Sequence, residues 1–144
     1  MIDLYTWHTP NGRKVSIMLE EIGMDYNVHS INIAKDEQFQ PHFLEVSPNN
    51  RIPAIVDKDN NNYSLFESGA ILMYLAEKSE KLINKSNSDK YYRTIEWLMW
   101  QMGGVGPMFG QVHHFVKYNK GKSAYAEERY SKEARRLYGV MDKR

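Results

Sequence analysis

The 144 residues are 42% hydrophobic and 26% charged, with a net charge of +1, a balance ordinary for a globular chain in water. No apolar run reaches the length of a membrane span, and the opening Met1-Ile2-Asp3-Leu4-Tyr5 lacks the basic and apolar regions of a secretory signal; the expectation is a cytoplasmic protein with no membrane partner. Cysteine is absent, which excludes an internal disulfide, thiolate metal ligation and a C-x-x-C redox cycle, so thiol chemistry would need sulfur from a small molecule.

Ile2–Tyr5 reads as a short strand, followed by the turn-forming run Thr9-Pro10-Asn11-Gly12. Val15, Met18, Leu19 and Ile22 then recur at i, i+3, i+4, i+7, an amphipathic helix ended by Gly23. Tyr26–Ile33 alternates as a strand whose phase changes at Ser30, read as a bulge. Residues 35–46 are loop and short helix. Ala54–Val56 and Tyr63–Phe66 are two strands joined by the turn residues Asp57-Lys58-Asp59-Asn60-Asn61-Asn62. Glu67-Ser68-Gly69 opens a further helix with Ile71, Leu72 and Leu75 on one face. The order is β-α-β-α-β-β-α, with parallel pairing in the first strand–helix–strand unit and an antiparallel hairpin at the end.

Asn84–Asp89 is polar and breaks the periodicity, so it reads as a linker between residues 1–83 and 90–144. Charge changes there too: residues 1–83 hold 7 Lys/Arg against 12 Asp/Glu, residues 84–144 hold 12 against 6. The basic side chains of the second part are interspersed with acids, the pattern of a solvated helical face rather than a nucleic-acid surface. Ile95, Leu98, Met99 and Met102 mark a long helix that Gly103-Gly104 and Gly106-Pro107 are expected to kink or interrupt. A second helix starts near Tyr125, with Tyr130, Ala134, Leu137 and Met141 on one stripe. Two such helices bury little alone, so the expectation is a truncated all-helical domain, or else a short protein that completes its core by dimerising.

Three segments carry candidate chemistry. Thr9 as N-cap with Pro10 at N1 is sufficient as plain helix architecture; the same helix N-terminus also lowers the pKa of a nearby thiol, and Thr9 and Asn11 can donate hydrogen bonds to a thiolate. Asn49-Asn50-Arg51-Ile52-Pro53-Ala54 places a proline just before a strand. Glu67-Ser68 is ordinary capping, or a clamp in which Ser68 and backbone N–H groups take a carboxylate while Glu67 takes an ammonium. His113-His114, being adjacent, point in different directions on a helix and make a poor metal pair, so no metal is expected.

Pro10-Asn11-Gly12-x-Lys14-Val15, Ser47 to Asp57 and Leu65-Phe66-Glu67-Ser68-Gly69-Ala70-Ile71-Leu72 together resemble the glutathione transferase superfamily, and within it the bacterial nu class of glutathione-dependent disulfide-bond oxidoreductases. The resemblance continues through Trp97 to Gln111 and His113-His114-Phe115, over nearly the whole chain. It implies an α/β thioredoxin-like N-terminal domain followed by the first helices of an all-α C-terminal domain. It also implies glutathione as co-substrate, a small disulfide or electrophile as second substrate, and a homodimer. Pro53 would be a cis-proline that exposes the Ile52 backbone to the cysteinyl part of glutathione. Glu67 and Ser68 would hold the γ-glutamyl end, Gln38 and Arg51 the glycyl carboxylate, and Thr9 and Asn11 would flank the sulfur as catalytic groups. Arg129 would help hold the bound tripeptide. Conjugation to electrophiles is an alternative to disulfide reduction, and a non-enzymatic glutathione-binding regulator is a third reading.

Overall fold

The structure, a computed structural model, describes residues 1–144. Alternation in β1 (Ile2–Thr6) sends Ile2 and Leu4 to one face of a sheet and Asp3 and Tyr5 to the other. α1 (Pro10–Ile22) buries Val15, Met18, Leu19 and Ile22 against that first face. It ends at Gly23, whose φ of +68° is the left-handed geometry glycine adopts without steric cost, and the Lys81 ammonium donates to the terminal Ile22 carbonyl at 2.6 Å. β2 (Tyr26–Ser30) runs parallel to β1, β3 (Ala54–Asp57) antiparallel to it, and β4 (Tyr63–Phe66) antiparallel to β3, giving the order β2-β1-β3-β4. α3 (Ser68–Ser79) returns to the face covered by α1, where Ile71, Leu75 and Ala76 complete a core with Ile2, Leu4 and Ile55. This is the thioredoxin-like arrangement of a mixed four-stranded sheet with α1 and α3 packed together.

The opposite face is covered by residues 31–46: two 3-10 turns (Ile33–Lys35 and Glu37–Phe39) and α2 (Pro41–Leu44), which drops Phe43 onto Ile31 and Ala54 beside Tyr5, Ile52 and Phe66. The expected strand to Ile33 is therefore too long. The ladder stops at Ser30 because Ile31 turns into this second core, its N–H going to the Thr6 carbonyl at 2.9 Å, while the Asn32 side chain caps the following 3-10 turn. What reads as a bulge is a strand end.

Below the hairpin, Asp57 is fully buried and accepts from Tyr74 Oη at 2.6 Å, Lys78 Nζ at 2.6 Å and the Asp59 N–H at 3.0 Å. Burial alone would raise its carboxyl; the hydrogen bonds from Lys78 and Tyr74 outweigh that and hold it below its ordinary value. The β3–β4 turn is thereby tied to α3.

The chain divides into two compact units, Met1–Tyr91 and Tyr92–Arg144. α4 (Ser88–Trp100) begins inside the expected linker, because the Asn87 side chain accepts from the Lys90 N–H at 2.9 Å and caps its first turn. The expected kink at the glycines is not a break. The backbone widens into a π-helical segment over Gln101–Val105, with the Gly106 N–H donating to the Gln101 carbonyl five residues back, and resumes as α5 (Gly106–Val112) with Pro107 in its first turn, where a missing N–H costs nothing. A second π-helical segment, His113–Tyr118, precedes α6 (Ala124–Asp142), capped by Ser123. On α6 the expected stripe holds for Ala134 and Leu137, which are buried; Tyr130 is half-buried and Met141 exposed.

Candidate functional site

At the end of β1 the chain turns through Trp7 and His8, the Thr9 N–H closing on the Trp7 carbonyl at 2.7 Å. Thr9 Oγ1 then accepts from the Gly12 N–H at 3.2 Å and caps α1, with Pro10 in its first turn. A capping hydroxyl uses a lone pair and keeps its proton to donate elsewhere, so architecture and chemistry do not compete for Thr9. Gly12 is required by contact rather than by φ: a Cβ there would lie 2.3 Å from Thr6 Oγ1 and 2.6 Å from the Trp7 carbonyl oxygen. The close approach sets the N-terminus of α1, and Asn11 with it, against the strand end.

The loop before β3 is pinned from beneath. Ser47, fully buried, donates its hydroxyl to the Arg51 carbonyl at 2.8 Å, and the Asn50 N–H donates to the Ser47 carbonyl at 2.9 Å. Asn50 takes a φ of +47°, a left-handed position that asparagine tolerates better than most residues. The Ile52–Pro53 bond that follows is cis, and Pro53 is buried beneath half-buried Ile52. Gln38, in the second 3-10 turn, is almost wholly buried; its Nε2 lies 3.5 Å from Asp36 Oδ1, and its buried Oε1 has no partner.

These segments meet in a cleft of about 270 Å³ lined by Thr9, Asn11, Ile33, Gln38, Asn50, Arg51 and Ile52. A buried amide oxygen without a partner in the wall of a cleft fits a ligand that brings polar groups of its own. Glu67 and Ser68 sit next in space at the start of α3. Glu67 holds a φ of +71°, its carbonyl accepts from the Ile71 N–H at 2.9 Å, and Asn49 Nδ2, beside the cleft's Asn50, donates to its carboxylate at 3.4 Å. Ser68 is buried as the first residue of the helix. The half-buried ammonium of Lys14 on α1 is shifted down by burial, against the attraction of Glu67, which pulls it up.

Thr9, Asn11, Gln38, Arg51 and Ile52 thus share one cleft, with Pro53 behind it. Arg129 lies in the second unit, on α6, where it lines a groove of about 720 Å³ with Met108, Tyr125, Tyr130 and Lys132, and Arg136 holds Glu133 with two hydrogen bonds. Sequence reasoning missed Ile33 and Asn50 in the cleft wall, and Ser47 and Asn49 beneath it. For Asn50 and Asn49 a signal existed: paired asparagines before an X-Pro bond mark a turn with left-handed backbone. No group of three or more His, Cys, Asp or Glu side chains is placed to hold a metal ion, and no helix is long and apolar enough to cross a membrane.

Comparison with known proteins agrees with this geometry. The glutathione S-transferase N-terminal domain family matches residues 1–77. Disulfide-bond oxidoreductase YfcG of Escherichia coli (strain K12) is 49% identical over all of this chain, which spans 68% of its length. Transcriptional regulator URE2 of Saccharomyces cerevisiae is 40% identical over 92% of the chain and 39% of its own length. A glutathione transferase family member from Pseudomonas fluorescens pf-5, solved with two glutathione bound, superposes with a TM-score of 0.93 at 53% identity, over 99% of this chain and 64% of that one. With its first 77 residues matched by the family's own domain and a relative half identical along its full extent, the chain belongs to the glutathione S-transferase family.

Proposed function

We propose that this protein reduces disulfides with glutathione, using the bound tripeptide's thiolate in place of a cysteine of its own. The observation that carries the reading is the convergence of Thr9, Asn11, Gln38, Arg51 and Ile52 in one cleft at the N-terminus of α1, in a chain without cysteine. On this reading the helix end and the Thr9 and Asn11 donors stabilise the thiolate. The Ile52 backbone, exposed by the cis bond, pairs with the cysteinyl residue. Gln38 and Arg51 face the glycyl carboxylate, Glu67 and Ser68 take the γ-glutamyl head, and Arg129 supports the tripeptide from the helical part. The thiolate attacks one sulfur of the substrate disulfide and the other leaves as a thiol. A second glutathione thiolate then attacks the mixed disulfide, releasing the second half of the substrate as a thiol and glutathione disulfide as product. The protein supplies alignment and thiolate stabilisation. The reading includes a homodimer and the cytoplasm as its setting, where reduced glutathione is the prevailing small thiol.

The test is glutathione-dependent reduction of 2-hydroxyethyl disulfide by wild type and by a Thr9→Ala/Asn11→Ala variant. The expected outcome is a kcat lower by about a hundredfold, the scale of losing preorganised donors to a developing charge, with a smaller change in KM for glutathione. Equal kcat values would refute the assignment. The 40% identity to a transcriptional regulator favours one further reading, a glutathione-binding protein without turnover; tight binding by a folded sample that reduces no disulfide and conjugates no 1-chloro-2,4-dinitrobenzene would establish it. Conjugation without disulfide reduction would instead select the transferase alternative.

A further inference from the structure

Lys14 occupies a position that helix electrostatics disfavour. It stands near the beginning of α1, and its ammonium feels the charge of Glu67, the residue that opens α3. The N-terminal turns of both helices carry no acidic side chain, so two positive helix ends and a half-buried cation gather around the single carboxylate of Glu67. That carboxylate is already engaged by the Asn49 amide at 3.4 Å. A region so composed has room for one more negative group. A ligand that brought only an ammonium to Glu67 would leave the positive groups unmatched, whereas one bringing an ammonium and a carboxylate on the same carbon would match both.

We propose that Lys14 is the partner of the α-carboxylate of the γ-glutamyl group, so that Lys14 and Glu67 together form a pair of opposite charges that selects a zwitterionic α-amino-acid head. The inference rests on the glutathione reading above and extends it to a specificity-determining residue. Glu67, steadied by Asn49, takes the ammonium; Lys14 takes the carboxylate alongside the N–H groups at the start of α3. Because the head carries no net charge, binding leaves the net charge of the region unchanged, and cationic amines and plain dicarboxylates are both discriminated against.

The experiment is calorimetric titration of wild type, Lys14→Met and Lys14→Arg with S-methylglutathione and with its analogue in which 4-aminobutanoyl replaces the γ-glutamyl group, removing only the α-carboxylate. Lys14→Met is expected to weaken S-methylglutathione about tenfold, the scale of one lost charge-assisted hydrogen bond, and to leave the analogue unchanged or bound more tightly, since Glu67 then faces its ammonium without a competing cation. Lys14→Arg should retain most of the affinity for S-methylglutathione. Equal weakening of both ligands by Lys14→Met, or no weakening of S-methylglutathione, overturns the assignment. Should Lys14→Met not fold, Lys14→Gln is read by the same comparison. If wild type binds neither ligand, the glutathione reading itself falls and takes this inference with it; a wild type that binds both with equal affinity refutes the role of Lys14 alone.

Discussion

At the scale of single residues, the site depends on contacts too close to leave alternatives. Gly12 is the clearest: any side chain there meets the Thr6 hydroxyl and the Trp7 carbonyl well inside van der Waals distance, and only the former can rotate away. Gly12→Ala is therefore expected to cost about 2 kcal/mol, the usual scale of overpacking, read as a shift in urea midpoint without a change in slope. Such a change would also lift Asn11 from the strand end. Legibility in the sequence divides along the same line. Thr9, Pro10 and Glu67-Ser68 could be found because capping and turn residues announce helix ends. Ser47 could not: a serine in a loop carries no sign that its hydroxyl is buried under the Arg51 carbonyl, because that partnership exists only once the loop has closed. Gln38 entered through resemblance alone, since nothing local distinguishes a buried glutamine in a 3-10 turn from an exposed one.

At the scale of elements, each core-facing helix and strand of the first unit is set by periodicity, and the errors lie where a residue changes sides. Ile31 leaves the β2 ladder to join Phe43 and Ala54, and Pro107 falls in the first turn of a resumed helix instead of breaking one. Both are tertiary decisions that a local pattern does not contain. The tie between hairpin and α3 gives a pH prediction. The Asp57 carboxyl is held below its ordinary value of 3.8 by Lys78 and Tyr74 despite its burial, so its contribution is complete above that value and is lost as pH falls through the lower folded value. Asp57→Asn should destabilise the first unit by about 3 kcal/mol at pH 7, leaving Lys78 without its buried partner. The gap between the two proteins should close on acidification below pH 4, as monitored by thermal melts; a gap that widened with acid would show that another group supplies the tie.

At the scale of the whole molecule, the two units are built to different standards. All buried apolar residues except Ala134 and Leu137 belong to residues 1–91. In the second unit the aromatic contacts, Trp97 with Trp100, Phe115 with Tyr130 and Phe109 with Tyr138, involve half-buried or exposed rings. Amide hydrogen exchange should therefore be slowest in β1, α1, β3 and α3, with α6 exchanging at least tenfold faster, in keeping with the smaller area its opening exposes. Uniform protection across both units would contradict this. The charge asymmetry read from the sequence found the division because a solvated basic face and a buried sheet draw on different residues; the π-helical widening of Gln101–Val105 left no such mark.

The lack of cysteine has a last consequence, in durability. A catalyst that carries its own thiol is exposed to peroxide on every turnover, and once the sulfur reaches the sulfinic or sulfonic state the molecule is lost. Here the chain has no thiol to oxidise, and on the proposed reading the vulnerable atom belongs to a reagent that arrives fresh and departs with the product. Overoxidised sulfur would leave by exchange, without repair or resynthesis of the protein. The methionines, Met99 and Met141 foremost because they are exposed, then become the places where oxidative wear accumulates, and both lie in the second unit, away from the thiolate-stabilising groups of α1 in sequence.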